Sequence, residues 1–243
     1  MQASRQSNGV AYAHAATGTL ALEKLQAAGR YNRWLLERVS GAVGSRVLEV
    51  GSGTGTMTRL LLGRELLVGI DIVDDFVRAL NGEFADRADT EFLCHDISAS
   101  AGDLARYDFD SAVTFNVLEH IEDDLSALRN VHRVLRPGGT IGIVVPAHEL
   151  LHGRFDDLLG HWRRYTKTSM RRTLEQAGFT VERLAYSNVV GAMGWLTQVK
   201  LLGRPQLAAT GLFDSMVPVL SGVERVVAPP FGLSVVAVGR KAR

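Results

Sequence analysis

The chain has a single cysteine, Cys94, among its 243 residues. That excludes an internal disulfide framework and a thiolate zinc site, and it fits a reducing compartment. Proline is scarce, at 6 residues against 25 glycines, a balance that suits glycines serving specific turns rather than disorder. No uninterrupted apolar run approaches the roughly 18 to 20 residues needed to cross a bilayer. The Ala-rich stretch from Val10 to Leu22 is broken by His14, Thr17, Gly18 and Thr19 and followed by Glu23 and Lys24, so it does not read as an export signal. A cytoplasmic protein with no membrane partner is the expectation. A charge surplus is lacking too: 27 Lys and Arg against 26 Asp and Glu leave +1, which argues against a basic nucleic-acid module and a charged disordered tail.

What is present is an ordinary globular composition, 46% hydrophobic and 22% charged, read as one domain over residues 1–243. From about residue 46 to 146, short β-rich runs (46–50, 66–70, 90–94, 109–115, 140–145) alternate with helical stretches (56–63, 73–84, 99–105, 123–135). Near-continuous apolar strands separated by helices are βα units of a parallel sheet covered on both faces, a doubly wound α/β fold that binds ligands beyond the carboxyl ends of its strands. A helix over 168–177, a strand over 180–187 and a last strand over 234–238 continue the pattern. The core spans 41–146. Three segments stand outside the repeating unit: 1–40, an insertion at 147–167 and an apolar insertion at 188–232. Loops that long carry function or their own helices.

The first strand runs into Glu49-Val50-Gly51-Ser52-Gly53-Thr54-Gly55. A strand, a turn with three glycines and a helix start let the backbone approach a ligand closely. The dinucleotide fingerprint would need its third glycine at Thr56, and a phosphate loop of the Walker type would need a lysine. Glu49 would repel a pyrophosphate and accept from an ammonium, so the loop suits a nucleoside that carries a cation. This loop resembles the signature of class I S-adenosylmethionine-dependent methyltransferases, and further motifs follow in that family's order: Asp71-Ile72, Cys94-His95-Asp96-Ile97, Phe115-Asn116-Val117-Leu118-Glu119-His120 and Leu135-Arg136-Pro137-Gly138-Gly139. The resemblance covers roughly residues 30–187. It implies a Rossmann-like seven-stranded sheet with an antiparallel last strand. It also implies that Tyr31, Glu49, Gly51, Gly53, Gly55, Asp71, Ile72, Asp96, Ile97 and Asn116 hold S-adenosylmethionine, with S-adenosylhomocysteine as product. Asp71 would take the ribose hydroxyls, Asp96 the adenine amino group, and Tyr31 or Arg33 the donor's carboxylate end. Read without the family, Asp71 and Asp96 are also candidate helix caps.

Methyl transfer is an in-line displacement that rests on positioning, and a weakly acidic acceptor also needs a base, usually histidine near neutral pH. Five of the seven histidines lie between residues 120 and 161. His120 and His161 are the base candidates, His161 oriented by Asp156 or another acid. His148, His152, Asp156, Arg164 and Tyr165 are candidate acceptor contacts; in the bland alternative they tie the insertion to the core. The segment Glu119-His120-Ile121-Glu122-Asp123-Asp124 also resembles ubiquinone-pathway O-methyltransferases, in which such groups hold a divalent ion. Here Glu122 to Asp124 read more simply as a charge-favoured helix start, so no metal is expected.

The sequence therefore reads as a methyltransferase acting on a small molecule, with O-methylation in bacterial secondary metabolism or quinone-like chemistry as the first expectation and N- or C-methylation left open. An RNA or protein methyltransferase, or a non-catalytic donor-binding subunit, is the alternative. Residues 1–29 read as a lid, and 188–232 as an acceptor roof, a homodimer face or plain core. The +1 charge divides into −5 over residues 1–145 and +6 over 146–243, which suits a cationic donor in the first half and an acceptor of anionic character in the second.

Overall fold

The protein is described by a computed structural model over residues 27–197, 210–226 and 229–243. Residues 1–26 of the lid expected over 1–29, and Val199, Leu201 and Leu202 of the apolar insertion, lie outside the described residues. Seven strands form one sheet: β1 (Arg46–Val50), β2 (Leu66–Asp71), β3 (Thr90–Cys94), β4 (Phe109–Phe115), β5 (Leu135–Pro146), β6 (Phe179–Ser187) and β7 (Ser234–Lys241). Their order is β3-β2-β1-β4-β5-β7-β6. The pairs from β3 to β5 are parallel, and β7 runs antiparallel between β5 and β6. This is the seven-stranded methyltransferase arrangement the motifs implied.

Alternation along the strands builds the two faces. Ile141, Ile143 and Val145 of β5 join the main core, while Val144 faces the other way and packs with Leu35, Val39 and Val236. Leu35 and Val39 come from α1 (Gly29–Val39). The other helices are α2 (Thr58–Leu61), α3 (Asp74–Glu83), α4 (Asp124–Val134), α5 (Arg154–Leu159), α6 (Lys167–Gln176), α7 (Val189–Trp195) and α8 (Thr210–Val226).

Three expected boundaries move for local reasons. The helix expected over 56–63 shrinks to the four residues of α2 because the glycine loop keeps turning through Met57 and Gly63 sits at φ +82°. The stretch expected at 99–105 is a 3-10 helix, Gly102–Tyr107, closed by Asp108 in the left-handed region. Strand β5 begins at Leu135 rather than Thr140, since Leu135 pairs with Phe109 across a bulge and the Pro137-Gly138 turn is absorbed into the strand.

The 147–167 insertion is sewn to the end of β4. The Trp162 amide donates to the Glu119 carbonyl (2.8 Å), the Tyr165 hydroxyl to Asp124 (2.7 Å), and Arg163 lies 3.0 Å from the same carboxylate. Asp123 caps α4 by accepting from the Ser126 amide. In the 188–232 insertion, Asn188 caps α7 through the Gly191 amide, and Glu224 of α8 accepts from the Ser187 hydroxyl and the Asn188 and Val189 amides.

Removing the hydroxyl in Tyr165→Phe leaves buried Asp124 with Arg163 but one donor short. A hydrogen bond to a charged group is worth about 1.5–3 kcal/mol, so the urea midpoint is expected to fall by the equivalent of about 1–2 kcal/mol with an unchanged slope. An unchanged midpoint contradicts this role.

Candidate active site

The carboxyl ends of β1 to β5 meet at one edge of the sheet, and β1 lies between β2 and β4, where chain connections diverge to either side. Such a switch point opens a crevice. The glycine loop leaves β1 there. Gly51, Gly53 and Gly55 all have positive φ, at +79°, +50° and +79°. A Cβ on Gly51 would lie 2.3 Å from Val117, and one on Gly55 would lie 2.5 Å from Leu80. Side chains are therefore excluded by both conformation and space.

Asp71 closes β2 with both oxygens fixed: one accepts from the Gly53 amide (2.8 Å), the other from the Val73 amide (2.9 Å). It caps no helix, since α3 begins at Asp74 with Val73 as its cap residue. Asp96 accepts from both the amide and the hydroxyl of Ser98, and the hydroxyl bond first among its causes holds its pKa below the usual value. Between these carboxylates Ile72 is 71% exposed. Ile97, expected to share its work, is buried in the main core with its carbonyl taken by Asn130. Asn116 sits at φ +53° at the end of β4, its amide bonded to Val144.

Glu49 is buried, and its Oε2 accepts from the Thr58 hydroxyl at 2.6 Å. Burial pushes its pKa up to about 8, with Asp71 adding to the rise against Thr58. Tyr31 is directed elsewhere. Its ring meets Trp34 and Phe213 edge to face, its hydroxyl bonds to the side chains of Asn188 and Ser234, and its amide donates to Asp214 of α8 (2.8 Å). The expected contact with the donor's carboxylate end is thus replaced by a tie between α1 and the apolar insertion.

Beyond β4, His120 and His161 come together, their rings edge to face with centroids 4.6 Å apart. His161 Nδ1 lies 2.8 Å from Asp156 Oδ1, the pairing the sequence suggested. Asp156 is fully buried and also accepts from Arg164 Nε (2.8 Å) and the Gly153 amide (3.0 Å). Burial alone would raise its pKa, but the bonds from His161 and Arg164 outweigh it and hold the carboxyl low. His120 keeps an exposed edge, yet packing of its ring and the neighbouring His161 lower its pKa to about 4. Glu119 entered the sequence reading only within longer segments, among them the one that resembles a divalent-ion site, with no role of its own. It is fully buried, neither carboxylate oxygen has a hydrogen-bond partner, and burial lifts its pKa to about 8. An acid beside a histidine at a strand end was its only sequence signal. One ligand atom each from Glu119, His120 and His161 lies within 4.8 Å of the others.

The remaining candidates separate. Arg164 and Tyr165 are buried and occupied, the guanidinium stacked over Trp195 and the hydroxyl on Asp124. His148, at φ +60°, is stacked between Tyr186 (4.4 Å) and Phe231 (4.2 Å), with Nε2 buried and without a partner. Burial, then Arg164, lowers its pKa. His152 is half-buried, 3.8 Å from Asp157. A cleft of about 370 Å³ lined by Asp110, Arg136 and Arg240 opens at the opposite, amino end of the sheet. Of its charged lining, Arg136 pairs with Asp110, and Arg240 with Glu182.

A glycine loop with two anchored carboxylates and an exposed isoleucine fits a donor with a ribose, an adenine and a cationic amino acid end, so the fold and site define a nucleoside-cofactor transferase. Comparison with known proteins gives the class. The model of a methyltransferase domain family matches residues 22–184, and the chain belongs to that family as an S-adenosylmethionine-dependent methyltransferase. It is 29% identical over 163 residues to the O-methyltransferase rstn1 of Aspergillus nomiae, covering 63% of this chain and 72% of that one. It is 32% identical over 110 residues to the ubiquinone biosynthesis O-methyltransferase of Pseudomonas entomophila, where the match spans 44% of this chain and only 47% of the relative. The fold is shared with the N-methyltransferase NodS from Bradyrhizobium japonicum WM9 in complex with S-adenosylhomocysteine: TM-score 0.56, 18% identity, covering 88% of this chain and 86% of that one.

An ammonium seated against Glu49 favours its ionised form, whereas free Glu49 stays protonated up to about pH 8. If the donor's ammonium sits there, binding is expected to release a proton at pH 7, and this contribution to affinity to grow as pH rises toward about 8. Calorimetry with S-adenosylhomocysteine in buffers of different ionisation enthalpy should show heats that follow the buffer, and Glu49→Gln should remove that dependence. Buffer-independent heats in the unsubstituted protein count against the contact.

Proposed function

We propose that the chain methylates a small molecule at oxygen, with His161 as general base. The observation that carries this is the Asp156–His161–His120 group at the carboxyl end of β4. The Asp156 carboxylate only accepts, so Nδ1 of His161 carries the hydrogen and Nε2 keeps a lone pair. S-adenosylmethionine, when bound, supplies a methyl group activated by the sulfonium. Glu49, the close-approaching backbone of the glycine loop, Asp71, Ile72 and Asp96 hold that donor, and Asn116 borders the passage to the acceptor. As the acceptor oxygen gains the methyl group, its hydroxyl proton goes to His161 Nε2, and the buried Asp156 stabilises the imidazolium. His120, whose ring lies edge to face against His161, is the alternate receiver. His148 offers the acceptor its unpartnered Nε2, and His152 stands at the rim. Asp156, Arg164 and Tyr165 act as positioning residues.

The O-methyltransferase names of the two relatives described above support oxygen as the methylated atom, and the ubiquinone biosynthesis relative supports a quinone-like acceptor. Arg163 and Arg164 are matched by Asp124 and Asp156, and Arg171 by Glu175, so these three cations are not the ones that would meet an anionic acceptor.

A second reading has its own observation, the unpartnered oxygens of Glu119 facing two imidazoles. Two histidines and a carboxylate fit a divalent transition ion. With one held there, the imidazoles act as ligands rather than bases, and the ion lowers the acceptor's pKa.

His161→Ala is expected to slow turnover about 10²- to 10⁴-fold, the usual range for a lost general base, with donor affinity unchanged; Asp156→Asn should slow it less. If His161→Ala and His120→Ala both keep near-normal turnover, the base reading falls. Turnover abolished by a chelator and restored by a divalent ion selects the metal reading.

A further inference from the structure

The ion pairs of α3 and the turn after it are mostly local. Arg78 reaches Asp74 and Asp75 on its own helix, and Arg87 reaches Asp89 two residues on. Arg59 is the exception. It belongs to α2, and its partner Glu83, the last residue of α3, lies 24 positions away. Nε donates to Glu83 Oε1 (2.9 Å) and Nη2 to Oε2 (2.5 Å), the two-pronged geometry that separates arginine from lysine. Nη1 is left over, and it donates to the Thr54 carbonyl of the glycine loop (2.9 Å). The Arg59 amide donates to the Gly55 carbonyl (3.1 Å). One residue therefore holds two consecutive loop carbonyls and the far end of α3.

The elements it joins are the two walls of the donor crevice. The loop and α2 follow β1, whereas Asp71, Ile72 and α3 follow β2. The loop already rests on α3 at this point, since a Cβ on Gly55 would lie 2.5 Å from Leu80 and 3.0 Å from Arg59 Nη1. On the inner side Thr58, the neighbour of Arg59, donates its hydroxyl to Glu49 Oε2 (2.6 Å). A displacement of α2 would move the loop carbonyls and this hydroxyl together. Burial is the main influence on the Glu49 pKa and raises it, with Asp71 in the same sense; Thr58 and the Arg59 charge act the other way.

Stability of the fold is not what the pair chiefly supplies. The side chains of Arg59 and Glu83 are 36% and 42% exposed, and an ion pair so open to water contributes little to folding. Its geometric effect is larger, because a loop fixed before the donor arrives need not be ordered on binding.

We propose that Arg59 and Glu83 are positioning residues for the donor: they latch the glycine loop and α2 onto α3 and so set the affinity for S-adenosylmethionine through the loop. This rests on the reading that the loop, Glu49 and Asp71 hold the donor.

The test is calorimetric titration of the intact chain with S-adenosylhomocysteine, with the melting temperature of each sample measured without ligand. Arg59→Ala is expected to weaken binding about five- to tenfold with little change in melting temperature. The double variant Arg59→Ala, Glu83→Ala should bind about as Arg59→Ala does, because the two residues act as one unit. Arg59→Lys keeps the charge but cannot span both Glu83 and the Thr54 carbonyl, so it should recover only part of the loss. Should Arg59→Ala prove unfolded, Glu83→Gln keeps the side-chain size and is expected to weaken binding in the same sense. A lowered melting temperature with unchanged affinity, as a purely structural pair would give, overturns the proposal. So does full recovery in Arg59→Lys, or losses that add in the double variant. Asp71→Ala separates the two readings. If it binds weakly while Arg59→Ala binds normally, the latch alone fails; if both bind normally, the donor site is elsewhere and the latch fails with it.

Discussion

The Asp156 carboxylate is the interaction on which the acceptor side depends. It is a fully buried charge that meets a guanidinium, an imidazole and a backbone amide, with Arg164 in turn stacked over Trp195 and bonded to the Ala147 carbonyl. Buried charges are stable only when paired and hydrogen-bonded, so this one arrangement fixes three things together. It starts α5, closes the insertion onto the end of β5, and orients His161. The 147–167 segment is therefore not a loose flap, and the imidazole is held in one tautomer by a carboxylate that has no solvent to compete with.

On the donor side the same logic runs through the backbone. The loop glycines are needed because the chain turns in left-handed conformations against Val117 and Leu80. The loop is then fastened by Asp71, a carboxylate that accepts from the Gly53 amide after β1 and from the Val73 amide after β2. Glu49 and Glu119 contrast with both aspartates. They are buried with few partners, and their pKa values rise to about 8. A buried acid left so poorly compensated costs stability at neutral pH, as expected of groups arranged for a ligand rather than for the fold.

The sheet was legible because hydrophobic alternation and glycine punctuation act locally, strand by strand, from Val47 to Val145. Asp71 and Asp96 were legible because a fixed fold places strand ends at fixed chain spacing. The Asp156–His161 pairing was within reach because the residues are five apart on one short helix and its exit. Other features depend on long-range burial that no short window records. Tyr31 looked like a donor cover, but the residues that claim it, Asn188, Asp214 and Ser234, lie more than 150 positions away. Glu119 looked like part of a motif, and only its complete burial gives it meaning. Arg163 and Arg164 counted toward the +6 of the second half, and only the structure shows them paired with Asp124 and Asp156.

Fold alone does not assign chemistry; the assignment rests on the donor sulfur and the paired histidines sharing one space. A crystal structure with S-adenosylhomocysteine bound measures this directly. The account predicts the ribose hydroxyls on Asp71, the adenine beside Asp96 against Ile72, and the sulfur opening onto His161 and His120. A sulfur facing away from both histidines, or a donor seated in the cleft at the amino end of the sheet, would contradict it.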